Sequence, residues 1–127
     1  MISNNIACFH FLNKLLEILK YRMQQAKLLE QWKEWSKRTA GAARRILGEC
    51  KVFVFGSVVE GKATGGSDVD ILIICRNLPE SRKERAEIIV KIEEEAGLPL
   101  YHPYEIHLVT EEEAKWYFKH ITKYIQI

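Results

Sequence analysis

Two short apolar runs, Val52–Phe55 (VFVF) and Val69–Cys75 (VDILIIC), bracket a glycine-rich connection and leave this chain few ways to fold. Both runs are too short for ordinary helices and rich in β-branched or aromatic residues, so both read as strands, the first stopped by Gly56. The connection after Gly56-Ser57 reads VVEGKATGGS. With Gly61, Gly65 and Gly66 it is too rich in glycine for a long helix, and a short helical turn followed by a loop is expected. If the two strands run antiparallel, Gly56-Ser57 at the end of the first lies beside Asp68 and Asp70 at the start of the second. Everything between then arches over one end of a sheet.

The flanking segments fill in the layers. The first fifty residues contain no proline. Ile6, Phe9, Leu12, Leu16, Leu19 and Met23 form an apolar stripe at helical spacing, continued by Leu28, Leu29, Trp32 and Trp35. One long helix or two are expected, ending near Leu47 with Gly48 as the cap and AGAA at 40–43 as a join or a close-packing spot. Ser81 with Glu84 opens a helix that ends near Ala96, before Gly97 and Pro99. Tyr104–Val109 (YEIHLV) reads as a third strand. Thr110 with Glu113 caps a final helix that buries Trp116, Tyr117 and Ile121. The order predicts an α+β fold: a small mixed, partly antiparallel sheet of three or more strands, flanked by helices mainly on one side. A single domain spans 1–127, with a helical segment at 1–48, a core at 51–110 and a C-terminal helix at 111–127.

Composition narrows the class. With 47% hydrophobic and 28% charged residues the chain is that of a globular protein. Nineteen basic against 17 acidic side chains, a net +2, argue against a protein that coats nucleic acid, although a nucleic-acid acceptor stays open. Cys8, Cys50 and Cys75 are odd in number and widely spaced. They fit neither a disulfide framework nor a zinc signature, which points to a reducing cytoplasm. No apolar run reaches membrane-spanning length, and the first twenty residues lack the features of a leader.

Two residues apart on a strand, Asp68 and Asp70 share a face about 7 Å apart along the backbone. Neighbouring carboxylates with no base between them repel, and a hard divalent cation is their natural partner. Gly56-Ser57 supplies the other half, since glycine admits a phosphate close to the backbone and amides opening a helical turn favour an anion. A phosphate cradle beside a metal clamp is the equipment of phosphoryl or nucleotidyl transfer.

A strand, then Gly-Ser, ten residues, then Asp-x-Asp opening an apolar strand resembles the nucleotidyltransferase superfamily that includes DNA polymerase beta. With its small size, the chain is most similar to the minimal nucleotidyltransferases of archaea and bacteria, over roughly Lys51 to Thr110. The resemblance implies transfer of a nucleoside monophosphate from a nucleoside triphosphate, ATP or another, with release of pyrophosphate. It implies two magnesium ions, or manganese, held by Asp68, Asp70 and a third carboxylate on a later strand, a place that Glu105 fits. Nucleotide contacts would come from Gly56, Ser57, Lys62 and Ser67. Many relatives carry an arginine shortly after Gly-Ser, where this chain reads Val58-Val59-Glu60. Lys62 is the substitute on offer, and Glu60 would oppose a triphosphate.

No part of the chain is left over for an acceptor-binding domain, so the acceptor or its binding surface is expected on a partner. The resemblance implies a helical HEPN-type protein of a toxin–antitoxin module, adenylylated on a hydroxyl. The other reading is an antitoxin-like subunit that binds nucleotide and partner but acts by contact alone. The N-terminal apolar stripe serves either reading, or a homodimer. His107 shares a face with Glu105 and reads as structural before it reads as part of the site. His102 reads as a loop histidine, and Cys8 with His10, two apart on a helix, do not face one metal.

Overall fold

The computed structural model describes the backbone of residues 2–127 and the side chains from residue 5 onward. The helical segment is two helices, α1 (Ile2–Glu30) and α2 (Trp32–Leu47), broken at Gln31. They are followed by β1 (Cys50–Phe55), the single turn α3 (Ser57–Glu60), β2 (Val69–Cys75), α4 (Arg82–Ala96), β3 (Tyr104–Val109), α5 (Glu111–His120) and β4 (Tyr124–Gln126). The sheet order is β3-β2-β1-β4. β1 is antiparallel to both β2 and β4, while β2 and β3 are parallel and joined through α4. The α+β class and mixed sheet expected from the sequence are present.

Alternation along the strands separates two packing layers. Val52, Val54, Val69, Ile71 and Ile73 meet α2 and α4, together with Ala40, Ala42, Ala43 and Ile92. The run of alanines is a close-packing spot, because side chains this small let the helix lie against its neighbours. Phe53, Leu72, Ile74 and Val109 face the other way, onto Ala114, Tyr117 and Phe118 of α5. Burying Ile71, Leu72 and Ile73 completely contributes about 1.5–3 kcal/mol each.

Three expectations need correction. The C-terminal helix does not run over 111–127: it stops at His120, and Tyr124–Gln126 returns as an edge strand on β1, in the register Phe55↔Tyr124. Strand-favouring Tyr124 and Ile125 outweigh any helical continuation once β1 offers a free edge. Trp116 is not buried but 59% exposed; Ala114, Tyr117 and Phe118 point inward instead. Cys50 and Cys75 stand opposite each other in the β1–β2 register, 4.9 Å apart at Cα, and form a disulfide. Wide separation along the chain hid a pairing that the antiparallel register creates.

Among the described residues, helix α1 is anchored at its C-terminal end. Leu28 is in the core, the Tyr104 hydroxyl donates to the Leu28 carbonyl at 2.5 Å, and Gln25 Nε2 donates to the Tyr101 carbonyl at 2.8 Å. Towards the N-terminus, Ile6, Phe9, Leu12, Leu16, Leu19 and Met23 are each more than half exposed. Among the described residues no helix is long and apolar enough to cross a membrane.

A candidate active site at one end of the sheet

The strand directions bring the C-terminal end of β1 and the N-terminal ends of β2 and β3 together. Phe55 is the register partner of Asp70, and Asp70 is the register partner of Glu105. Asp70, Glu105 and His107 all lie on the α5 side of the sheet. Their ligand-capable atoms fall within 4.8 Å of one another.

Gly56 fixes how close the backbone comes. Its φ of 94° and ψ of −164° belong to a region open essentially to glycine alone. A Cβ built there would stand 2.5 Å from Asp70 Oδ2. The glycine of the Gly-Ser pair is therefore demanded twice, once by conformation and once by the carboxylate it faces.

His107, which reads from the sequence as structural before it reads as part of the site, lies within the same group. Its Nε2 lies 3.1 Å from Asp70 Oδ1 and 4.0 Å from Glu105 Oε1, and its Nδ1 lies 3.3 Å from the Tyr117 hydroxyl. A carboxylate only accepts, so with no cation Nε2 carries the proton and the tyrosine hydroxyl donates into Nδ1. Burial first, then the charges of Glu105, Glu113 and Asp70, push the Tyr117 hydroxyl above its ordinary pKa and keep it protonated. The signal available in the sequence was the two-residue period linking His107 to Glu105.

The remaining predicted residues lie elsewhere. Asp68 is exposed just before β2, outside the three-residue group, and makes no side-chain hydrogen bond or ion pair among the described residues. It lines a separate cleft between the Gly65–Asp68 loop and Tyr21, Arg22 and Gln25 of α1. Ser67 Oγ accepts from the Thr64 amide at 2.8 Å and shapes the loop. Ser57 opens α3, and its carbonyl accepts from the Lys62 amide. Lys62 does not line the pocket beside the carboxylates; Lys123 does.

That pocket has a volume of about 500 Å³ and runs from Asp70, Glu105 and His107 to Trp116, His120 and Lys123. Its size is that of a small-molecule site. Glu60 on its wall accepts a hydrogen bond from Thr122 Oγ1 at 3.2 Å. Two carboxylates and an imidazole at such separations fit a divalent cation, with hard oxygen donors and room left for further ligands.

The sequence profile of the family described as "Nucleotidyltransferase domain" matches residues 36–125. Among solved structures, a "putative nucleotidyltransferase" is similar at 28% identity, with a TM-score of 0.57 over 72% of this chain and 95% of its own. A second "putative nucleotidyltransferase", from Sulfolobus solfataricus, shares the fold at 15% identity and a TM-score of 0.54, over 85% of this chain and 83% of its own. No curated protein matches.

Proposed function

The chain belongs to the nucleotidyltransferase domain family, and we propose that it transfers AMP from ATP to a hydroxyl of a partner protein, with magnesium or manganese as the metal. The observation that carries this reading is the close approach of Gly56 to Asp70, with Glu105 and His107 completing a donor set at the floor of a nucleotide-sized pocket. Asp70, Glu105 and His107 would hold the cation, joined by the exposed Asp68 when a nucleotide is present. The cation would neutralise charge on the phosphates and lower the barrier to displacement. Binding through Nε2 requires His107 to keep its proton on Nδ1, with the Tyr117 oxygen now accepting, so the tyrosine orients the ring in both states. Glu105, 59% exposed at its side chain and the most accessible of the three, would take the proton of the attacking hydroxyl. The acceptor oxygen bonds to the α-phosphorus as the bond to pyrophosphate breaks.

The exposed apolar face of α1 favours an acceptor carried by another chain, a HEPN-type helical protein being the class that the family resemblance suggests. The same face favours a second reading, an antitoxin-like subunit that neutralises its partner by contact. Incubating the protein with α-labelled ATP, magnesium and the product of the neighbouring gene separates the two. Label on the partner that disappears with Asp70→Asn supports transfer; stoichiometric complex formation without label, unaffected by Asp70→Asn, supports contact alone.

A further inference from the structure

Trp116 is a large aromatic residue with no structural task. It belongs to neither core cluster and is 59% exposed, yet it is held in place on the pocket wall. Its ring stacks on His120 with centroids 4.4 Å apart and planes at 29°, and it meets Tyr117 edge-on at 5.2 Å. The His120 ring is itself fixed, because Nδ1–H donates to the Trp116 carbonyl at 2.7 Å. Three aromatic rings thus form a corner on α5, one of them the Tyr117 ring whose hydroxyl meets His107.

We propose that Trp116, braced by His120, is the stacking platform for the base of the nucleoside triphosphate. The inference rests on the reading that the pocket takes such a nucleotide. The carboxylates and His107 occupy one end of the cavity and would hold the phosphate side through the cation. The base must then reach along the same cavity, and the wall it meets is aromatic. A flat, preorganised ring offers stacking to any base, and purines gain most by their area. An isolated i,i+4 aromatic pair on a helix would also give the stacked geometry, but it would not place the pair on the wall of the cavity that ends in the carboxylates.

The test compares two probes on the full chain in the presence of manganese: a non-hydrolysable ATP analogue and inorganic tripolyphosphate, which lacks the base. Wild type is expected to prefer the ATP analogue. Trp116→Ala should weaken the analogue roughly 5- to 150-fold and leave tripolyphosphate unchanged. Trp116→Phe should recover most of the loss, and His120→Ala should produce a smaller one. Far-ultraviolet circular dichroism checks that the variants are folded. A Trp116→Ala protein that still prefers the analogue to the wild-type extent overturns the platform and leaves the nucleotide reading standing. A wild type that binds neither probe overturns both.

Discussion

Gly56→Ala separates what this glycine does for the fold from what it does for the site. Holding alanine at φ 94° and ψ −164° costs about 1–3 kcal/mol. The less flexible unfolded chain returns about 0.4–1 kcal/mol, so a net loss of roughly 1–2 kcal/mol is expected in urea denaturation. The added methyl also stands 2.5 Å from Asp70 Oδ2, where ordinary contact begins at 3.4 Å. The carboxylate must therefore retreat by about 0.9 Å from its place beside His107. A displacement near 1 Å at a reacting centre costs about 100-fold in rate. Gly61→Ala is the control: φ is 73° there and nothing lies within 4 Å of the built Cβ. It should lose stability by up to about 1 kcal/mol while manganese binding and label transfer stay within a few-fold of wild type. If Gly56→Ala binds manganese and transfers label as Gly61→Ala does, the contact with Asp70 does not organise the site.

Reducing the Cys50–Cys75 bridge, which closes a loop across 25 residues of sequence separation, should cost about 3.5 kcal/mol by the chain-entropy relation; a melting temperature unchanged by dithiothreitol would contradict it. Tyr117→Phe removes the partner of His107 Nδ1 and should weaken manganese binding about 10-fold with the fold intact, which calorimetric titration measures. The Glu113 carboxyl is held below its ordinary pKa, first by the Thr110 amide and then by Arg85. Its stabilising contribution is therefore complete above the unfolded carboxyl range and lost as pH falls through the lower folded value, so Glu113→Gln should flatten the acid limb of a stability–pH curve. Deleting residues 1–22 removes the exposed face of α1 and keeps Gln25 and Leu28, so a folded protein that no longer associates is expected by size-exclusion chromatography; loss of the folded state would show that face to be needed within the chain.

What could be read ahead of the structure was whatever the sequence encodes locally. Val69–Cys75 and Tyr104–Val109 are strands at the expected bounds because apolar composition and turn residues mark both ends. Thr110 and Glu113 form the full reciprocal cap, whereas Ser81 accepts from the Glu84 amide without a return bond from the Glu84 side chain. Gly56 and Asp70 are singled out by the Gly-Ser spacing and the Asp-x-Asp pattern, and Glu105 by the family resemblance, and the structure brings the three to one end of the sheet. The misses depend on partners distant along the chain. Tyr124–Gln126 becomes a strand only because β1 has an edge to offer, and Cys50 meets Cys75 only through the β1–β2 register. Trp116 looks like core to a helical periodicity, since periodicity cannot tell a face packed on a sheet from one beside a cavity.

The sheet's connectivity explains why chemistry collects at one end. Because β1 opposes β2 while β3 runs with it, the exit of β1 meets the entrances of β2 and β3, and Gly56, Asp70 and Glu105 arrive there from three separate turns of chain. β4 then pairs Tyr124 with Phe55, which pins the Ile121–Lys123 connection against the same end and closes the pocket. The edge strand thus positions a wall of the site, the Ile121–Lys123 connection that precedes it. The Cys50–Cys75 bridge sits at the opposite end of the β1–β2 pair, five register positions from Phe55↔Asp70. Stability can be added there without constraining the carboxylates. Reduction should accordingly lower the unfolding midpoint and leave manganese affinity unchanged under conditions where the protein stays folded.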